Sequence, residues 1–238
     1  MKKIYCLLLL LPLLSNAQSA DEIIQRYSKA MGGLDAFNKV TSAKITGSLI
    51  SQGMNLPLTI YIINGKSMRT DVEVNGQMIS NVYDKGKGWK VNPYESISSP
   101  TEVTSPDELA LLKIQASIAN NLMDYKMRGH TVEYKGQEVL DGVAADKINL
   151  LSRDDGKTTV FFISTTDHKL LRSDSKQKIQ GNEYDAQTFY KDFRTINGIV
   201  FSTHFVRKIQ GNVFQEVKFD NVELNVPVDE KIFLMPGK

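Results

Sequence analysis

Hydrophobic and polar residues alternate with a period of two along most of this 238-residue chain. From residue 42 onward, β-rich runs are separated by turn dipeptides such as Asn75-Gly76 and Asn197-Gly198. The pattern predicts strands over residues 44–50, 58–63, 68–74, 78–83, 130–134, 137–139, 145–151, 158–164, 170–177, 185–195, 199–208 and 213–224, with another after the turn at residue 84. Long consecutive antiparallel strands curl into a barrel or half-barrel, so we expect a mainly β fold.

Two stretches have helical spacing instead. In the first, Ser19 and Glu22 match a capping box, and Ile23, Tyr27 and Met31 follow at helical intervals before a pair of glycines. We expect this N-terminal amphipathic helix to plug one end of the structure. A short helical turn over residues 34–39 should follow it.

The second helical stretch, residues 105–123, lies between the strands. Ser105 and Glu108 match another capping box, and Pro106 stands where a missing N–H is tolerated. A helix that covers one side of a core needs a single apolar stripe. This one has two, formed by Leu109, Leu112, Ala116 and Met123 and by Leu111, Ile114, Ile118 and Leu122. Two roles are open: a helix enclosed between the sheet and another element, or a lid whose second face closes over an apolar cavity.

Three further segments have patterns of their own. Residues 94–104 are polar, and we expect them to be mobile. The tail, residues 227–236, should lie along the sheet with Ile232 and Phe233 tucked in. The pentapeptide KIQGN at residues 178–182 recurs at 208–212, which predicts two turns on the same rim. Similar turn chemistry explains the repeat, and a shared binding role is the alternative.

The first seventeen residues have the pattern of a signal peptide. Lys2 and Lys3 precede a short apolar run, and small residues end at Ala17, where cleavage is expected. The run is shorter than the roughly 20 residues that span a bilayer. The expected organisation is therefore a signal peptide over 1–17 and a single domain over 18–238. The only cysteine, Cys6, would leave with the leader, so the mature chain would have no disulfide.

Charge and motifs exclude several classes of function. Two of the 29 basic residues lie in the leader, so the mature chain balances its 27 acidic residues, and it has no basic run typical of nucleic-acid binding. His130, His168 and His204 stand on separate segments without metal spacing. No nucleophile elbow, phosphate loop or dinucleotide fingerprint occurs, and Asp154-Asp155-Gly156-Lys157 has the pattern of a hairpin turn. We expect no enzyme, with no catalytic residue, cofactor or metal.

The most specific motif is D-x-x-x-x-W-x-x-N-P at Asp84, Trp89, Asn92 and Pro93. A terminal D-x-x-x-F-x-x-P begins at Asp229. With the leading helix, long strands and middle helix, these motifs resemble the LolA/LolB/LppX superfamily of periplasmic lipoprotein and lipid carriers over the whole mature chain. The resemblance implies an unclosed antiparallel β-barrel, or half-barrel, with an N-terminal helix and a central helical lid.

The resemblance also implies an apolar cavity for acyl chains. One position departs from the family. LolA carries an arginine that gates the lid, and the residue at the matching position here is Asn64. Arg69 is not the equivalent of that arginine. Alternation places Leu58, Ile60 and Ile62 on one face, which we expect to point inward. The expected cavity residues are Leu58, Ile60, Ile62, Met68, Trp89, Leu109, Leu112, Ile118, Phe161, Ile163 and Phe189.

The expected function is a monomeric periplasmic carrier. Its partners would be a lipid or an acylated lipoprotein, with inner- and outer-membrane transport partners and no nucleic acid. The alternative is a non-carrier sensor or envelope-assembly protein that uses the half-barrel as a protein-docking surface, which a cavity filled by the protein's own side chains would favour. A small outer-membrane barrel fits poorly because the strands carry charges on both faces, as at Lys191-Asp192, and lack aromatic girdles.

Overall fold

The computed structural model describes residues 19–179 and 181–237. Its helices are α1 (Ala20–Ala30), α2 (Leu34–Asn38), α3 (Pro106–Gln115) and α4 (Tyr125–Arg128). Its strands are β1 (Ser42–Ser51), β2 (Met54–Ile63), β3 (Ser67–Val74), β4 (Gln77–Asp84), β5 (Lys87–Asn92), β6 (Ile97–Glu102), β7 (Thr131–Leu140), β8 (Val143–Leu151), β9 (Thr158–Ser164), β10 (Leu170–Ile179), β11 (Asn182–Ile196), β12 (Ile199–Ile209) and β13 (Asn212–Leu224). The expected signal peptide lies outside the described residues. None of the helices in this part of the chain is long and apolar enough to cross a membrane.

The strands form one antiparallel sheet of thirteen, in the order β6-β5-β4-β3-β2-β1-β13-β12-β11-β10-β9-β8-β7. The sheet is strongly curled. Leu112 of α3 lies against Gly88 of β5, while the next residue, Lys113, is 3.0 Å from Asp154 after β8. In a flat sheet β5 and β8 would be roughly 48 Å apart, so both can contact the same helix only because the sheet curls. The edge strands β6 and β7 stay unpaired with each other over the described residues. The sheet is therefore an unclosed half-barrel, as predicted.

Helix α1 has the predicted start. Ser19 Oγ accepts the Glu22 N–H, and the Glu22 carboxylate accepts the Ser19 N–H, which completes the capping box. Gly32 follows the helix at φ +107°. A Cβ there would stand 2.4 Å from the Gly198 carbonyl oxygen. Glycine thus allows α1 to end directly against the β11–β12 turn, where the Val200 N–H donates to the Met31 carbonyl.

The central helix is shorter than predicted. Helix α3 ends at Gln115, and the prediction of a continuous helix over 105–123 was wrong. The β2–β3 turn forms hydrogen bonds with backbone groups that would otherwise bond within a longer helix. The Gly65 N–H donates to the Ala116 carbonyl at 2.8 Å, and the Asn64 side chain accepts the Ile118 N–H at 3.0 Å. At the other end Ser105 caps the helix, but the Glu108 carboxylate pairs with Lys90 of β5 at 2.7 Å.

The polar segment 94–104, which we expected to be mobile, is tied to the sheet. It forms a 3-10 turn at Pro93–Glu95 and the edge strand β6, which pairs with β5. Backbone pairing places the strand here although its side chains are mostly exposed. The runs 130–134 and 137–139 also join, as the single strand β7, with a bulge at Gly136, whose φ is +86°.

The tail packs on the outer face of the sheet, on the side opposite α3. Gly88 faces α3, so its neighbour Trp89 faces outward. The Trp89 indole N–H donates to the Phe233 carbonyl at 2.8 Å, and Phe233 is 1% exposed. The prediction that Ile232 and Phe233 are tucked in is confirmed for Phe233, while Ile232 packs against the same cluster and is partly buried.

Candidate functional site

The concave face has two different ends. We call the end with the turns at Gly65, Gly86, Gly142 and Gly198 the helix-filled end, and the end with the turns at Gly53, Gly76, Gly181 and Gly211 the open end. At the helix-filled end the protein's own side chains pack tightly. Tyr27 of α1, Met68 of β3 and Ile163 of β9 belong to one core and are 2%, 0% and 0% exposed. No room for a ligand remains among these side chains.

Towards the open end, Leu58, Val72 and Val74 are buried, but several other inward-facing apolar side chains are only partly covered. An aliphatic patch consists of Leu49, Leu56, Ile60 and Val217, which pack around the buried Leu58. Each member of the patch keeps some solvent-accessible surface. The strands thus hold an apolar surface inside the half-barrel that no helix covers completely.

An aromatic row continues this surface across three strands. The rings of Tyr190 and Phe205 are 5.6 Å apart, and those of Phe205 and Phe219 are 5.2 Å apart, both edge to face. Such arrangements are favourable between aromatic rings. All three residues are partly exposed, and the Tyr190 hydroxyl is 3.0 Å from Ser173 Oγ. Burial raises the pKa of Tyr190. The row therefore presents neutral rings towards the interior.

Arg207 stands two residues beyond Phe205 on β12, on the same face and nearer the open end. Its Nη2 donates to Gln177 Oε1 at 2.5 Å. Its Nε is buried and has no hydrogen-bond partner among the described residues. Over residues 19–179 and 181–237, no carboxylate lies within 4.0 Å of the guanidinium. Burial lowers the pKa of Arg207, and the nearby Tyr190 partly offsets that effect.

Helix α3 bridges the opening between the two walls of the half-barrel. On one side Leu109 and Leu112 lie against Gly88 of β5. On the other side Asp107 pairs with Lys157 at 3.0 Å and approaches Lys178 at 3.6 Å, and Lys113 pairs with Asp154. These pairs are solvent-exposed, so they hold the helix weakly. The apolar side of α3 thus packs against β5, and its charged side is held by exposed ion pairs.

The two-stripe interpretation of this helix is partly supported. Leu112 and Ala116 of the first stripe are buried, but Leu111 of the second stripe is 48% exposed on the outside. The second apolar face therefore does not close over the interior at this point.

Most of the expected cavity residues lie together. The main inward cluster contains Ile60, Ile62, Met68, Leu109, Leu112, Ile118, Phe161 and Ile163, and Leu58 lies in the adjoining cluster that shares Ile60. Met68 and Ile163 are completely buried as core. Ile60, Leu109 and Ile118 keep accessible surface.

Two expected cavity residues point the other way. Trp89 packs with Val82 and Phe233 beneath the tail. Phe189 lies on the outer face with the Lys208 ammonium 5.0 Å from its ring centre. In each case a neighbour takes the inward position, Gly88 in β5 and Tyr190 in β11. A pair of adjacent aromatic residues, as at 189–190, gives no signal of which one faces inward.

Sequence reasoning also missed Tyr190, Phe205, Arg207 and Phe219. A signal was available in β12 and β13, where Phe205 and Arg207, and Val217 and Phe219, have the spacing of residues on one face. The strand pairing that brings these faces together was not visible.

Two shallow grooves occur elsewhere. One of about 630 Å³ lies between α1 and residues 123–126, and one of about 410 Å³ lies beneath the tail beside Tyr61 and Arg69. None of the eleven expected cavity residues lines either groove. Within the part of the chain that the structure describes, no three His, Cys, Asp or Glu side chains lie close enough to hold a metal ion. The partly exposed concave face remains the candidate site.

Comparison with known proteins supports the architecture. No family model matches the chain, and no curated protein matches it in sequence. Solved structures do match. A LolA superfamily protein from Nitrosomonas europaea is 12% identical, covers 92% of this chain and 98% of its own, and has a TM-score of 0.61. A DUF1329 family protein from Desulfovibrio piger is 15% identical, with coverages of 90% and 97% and a TM-score of 0.61.

A candidate outer membrane lipoprotein-sorting protein domain from Vibrio parahaemolyticus is similar to the same extent. It is 9% identical, covers 90% of this chain and 97% of its own, and also has a TM-score of 0.61. At these identities the match concerns the fold. The chain has a LolA-like fold.

Proposed function

We propose that the protein is a periplasmic carrier that binds a lipid, or the acyl chains of a lipoprotein, inside the half-barrel for transfer towards the outer membrane. The observation that carries the proposal is the aliphatic patch together with the aromatic row: an apolar, inward-facing surface that stays partly exposed. A LolA-like fold and a leader with the pattern of a signal peptide support the same role.

The energy of burying an acyl chain is sufficient for such a carrier. Each buried CH₂ contributes about 0.8 kcal/mol, so a sixteen-carbon chain offers on the order of 10 kcal/mol before the costs of association. Release needs no chemical step. It needs a second apolar site that takes the chain over.

Exposed apolar side chains at the open end fit such a handover. Met54, Met78, Tyr94, Val213 and Phe214 are between 42% and 62% exposed. All stand in or beside turns at this end. Exposed apolar residues that cluster in this way mark contact surfaces. They would meet a membrane or a transport partner where the acyl chain enters.

The test is binding of an environment-sensitive fluorescent lipid probe. Ile60→Glu places a charge in the aliphatic patch and should weaken probe binding at least tenfold. Val139→Glu is the matched control, because Val139 is 68% exposed beside the β7–β8 turn at the helix-filled end. If Ile60→Glu unfolds, the milder Leu56→Gln replaces it. Equal probe affinity of wild type and folded patch variants would contradict the proposal.

One observation favours the alternative, a sensor or envelope-assembly protein that docks another protein. The helix-filled end is closed by its own side chains, since Met68 and Ile163 are completely buried. A docking protein needs no interior room. Native mass spectrometry of protein taken from its source membrane fraction separates the two: a co-purifying lipid supports the carrier, and a lipid-free complex with another protein supports the docking role.

A further inference from the structure

Arg207 is a partly buried charge with unused donors. A guanidinium carries five N–H donors, and a buried charge is unfavourable unless it is paired. Here one donor reaches the neutral amide of Gln177, and the buried Nε reaches no acceptor among the described residues. The ordinary pKa of arginine is about 12.5 or higher, so the group remains cationic at neutral pH despite its partial burial.

The neighbours of Arg207 on the concave face are neutral. Thr188 and Gln215 stand opposite it on the flanking strands. Two acidic residues of nearby strands, Asp174 and Glu216, belong to the outer face and have partners there. Asp174 pairs with Arg172 at 2.8 Å, and Glu216 is bound by His204 at 2.7 Å and Lys218 at 2.9 Å. The described part of the chain therefore supplies no counter-ion for Arg207.

Apolar surface begins directly beside this charge. Phe205 is about 7 Å away along the same face of β12, and its ring contacts Phe219, which also packs against the aliphatic patch. Strand β12 runs from the helix-filled end to the open end, so Arg207 is nearer the mouth than Phe205. A cation at the mouth with apolar surface behind it matches an amphiphile that enters tail first.

We propose that Arg207 binds the anionic group of an acidic lipid whose acyl chain lies on the aromatic row and the aliphatic patch. The fatty acids and phospholipids that fit this description share a carboxylate or phosphate group attached to a hydrocarbon chain. The guanidinium can hold the oxygens of that group through two parallel N–H donors. This inference rests on the proposed carrier function and names its ligand class. Gln177 holds the guanidinium in place.

The test compares lipids that differ in charge alone. The purified protein is titrated with cis-parinaric acid and with its uncharged methyl ester, in wild type, Arg207→Gln, Arg207→Lys and Lys208→Gln. Lys208→Gln is the matched control because Lys208 is the next residue and faces outward over Phe189. Wild type should bind the acid about 10- to 100-fold more tightly than the ester. Arg207→Gln should lose that preference and keep ester binding, Arg207→Lys should retain part of it, and Lys208→Gln should retain all of it.

A second arm distinguishes the sources of the anion. Fluorescent phosphatidic acid is compared with the matching diacylglycerol, and inorganic phosphate and acetate are added as competitors. Preference for phosphatidic acid with no competition from the free anions assigns the site to a phospholipid. Preference for parinaric acid alone assigns it to a fatty acid.

Different results would overturn the role of Arg207 and the carrier function. Wild type that binds acid and ester equally overturns the role of Arg207 but leaves the carrier function standing, and this result needs no variant to fold. An unchanged acid preference in Arg207→Gln has the same meaning. Wild type that binds none of the four lipids overturns the carrier function as well. Competition by inorganic phosphate or acetate shows a site for a free anion and overturns the lipid assignment.

Discussion

Asn64 holds the segment after α3 to the rest of the fold: its side-chain oxygen accepts the Ile118 N–H at 3.0 Å. The amide nitrogen of the same side chain donates to the carbonyl oxygens of Val40 at 2.8 Å and Phe37 at 3.3 Å. One side chain thus connects the end of α2, the β2–β3 turn and the chain beyond α3. It occupies the position at which the resemblance to LolA places a gating arginine. Here the position is a structural tie.

Removing this tie should destabilise the fold. Asn64→Ala leaves three partly buried backbone groups without their partner, at a loss of about 2–3 kcal/mol. For a chain of this size we expect Tm to fall by about 5–10 °C. Asn55→Ala, at an exposed position on β2, is the control and should leave Tm nearly unchanged. Calorimetry of both variants checks this, and equal Tm values would contradict the role of Asn64.

The charged side of α3 should open readily. Lys113→Glu replaces the attraction to Asp154 by repulsion between two carboxylates, so it should speed lipid-probe association several-fold. Raising the salt concentration should have the same effect on wild type. Lys135→Glu removes an exposed pair with Glu133 on β7 and serves as control. Association rates measured by stopped flow that respond equally to both substitutions would contradict a lid role for α3.

Acid should affect this contact only at low pH. The hydrogen bond from Lys157, and then the attraction to that lysine, lower the pKa of Asp107. A carboxyl whose pKa is lowered on folding stabilises the fold above its unfolded pKa, about 3.9, and that contribution is lost as pH falls through the folded pKa. Hydrogen exchange in α3 should therefore be constant from pH 7 to about pH 5, after correction for the intrinsic rate, and increase below about pH 4. A rise already between pH 7 and pH 5 would contradict this assignment.

Trp89 reports on the outer face. Because it is the only tryptophan and lies beneath the tail, lipid bound inside the half-barrel should leave its emission unchanged. Phe233→Ala removes its cover and should shift the emission to the red, at a loss of about 3–5 kcal/mol of stability. Exposed Leu234→Ala is the matched control. Quenching of Trp89 by a brominated lipid would place the ligand on the wrong face for this account.

The exposed apolar residues of the open end should matter for transfer but not for binding. Phe214→Ser should leave probe affinity unchanged and slow delivery to acceptor vesicles several-fold, since the side chain is 49% exposed and lies outside the proposed lipid site. Val139→Ser, at the other end, should leave both unchanged. A transfer assay with fluorescent lipid measures this. An equal slowing by both variants would indicate general surface hydrophobicity instead of a docking end.

The sequence predicts the strands and α1 well because their signals are local. Asn-Gly and Asp-Gly dipeptides end the strands, and the Ser19–Glu22 box starts the helix. The end of α3 was not predictable, since the residue that stops it, Asn64, lies 54 positions away from Ile118. Strand β6 was missed because backbone pairing, not side-chain burial, forms it.

The candidate site was predicted in part for similar reasons. Period-two alternation gives the correct inward set in β2, where Ile60 and Ile62 share a face. Alternation does not reveal that Gly88 faces inward and makes room for Leu112. Its neighbour Trp89 therefore faces outward. An arginine on a strand usually indicates a solvated face, so Arg207 gave no sign of its inward position. That information comes only from the pairing of β11, β12 and β13.

Photo-crosslinking tests the central claim most directly. A benzophenone amino acid is placed at Phe205, inside the half-barrel, or at Phe189, on the outer face of the neighbouring strand. After irradiation in cells, mass spectrometry should find lipid or acylated adducts on the Phe205 variant and few on the Phe189 variant. Adducts that are equal at the two positions, or absent at Phe205, would contradict an acyl chain bound within the half-barrel.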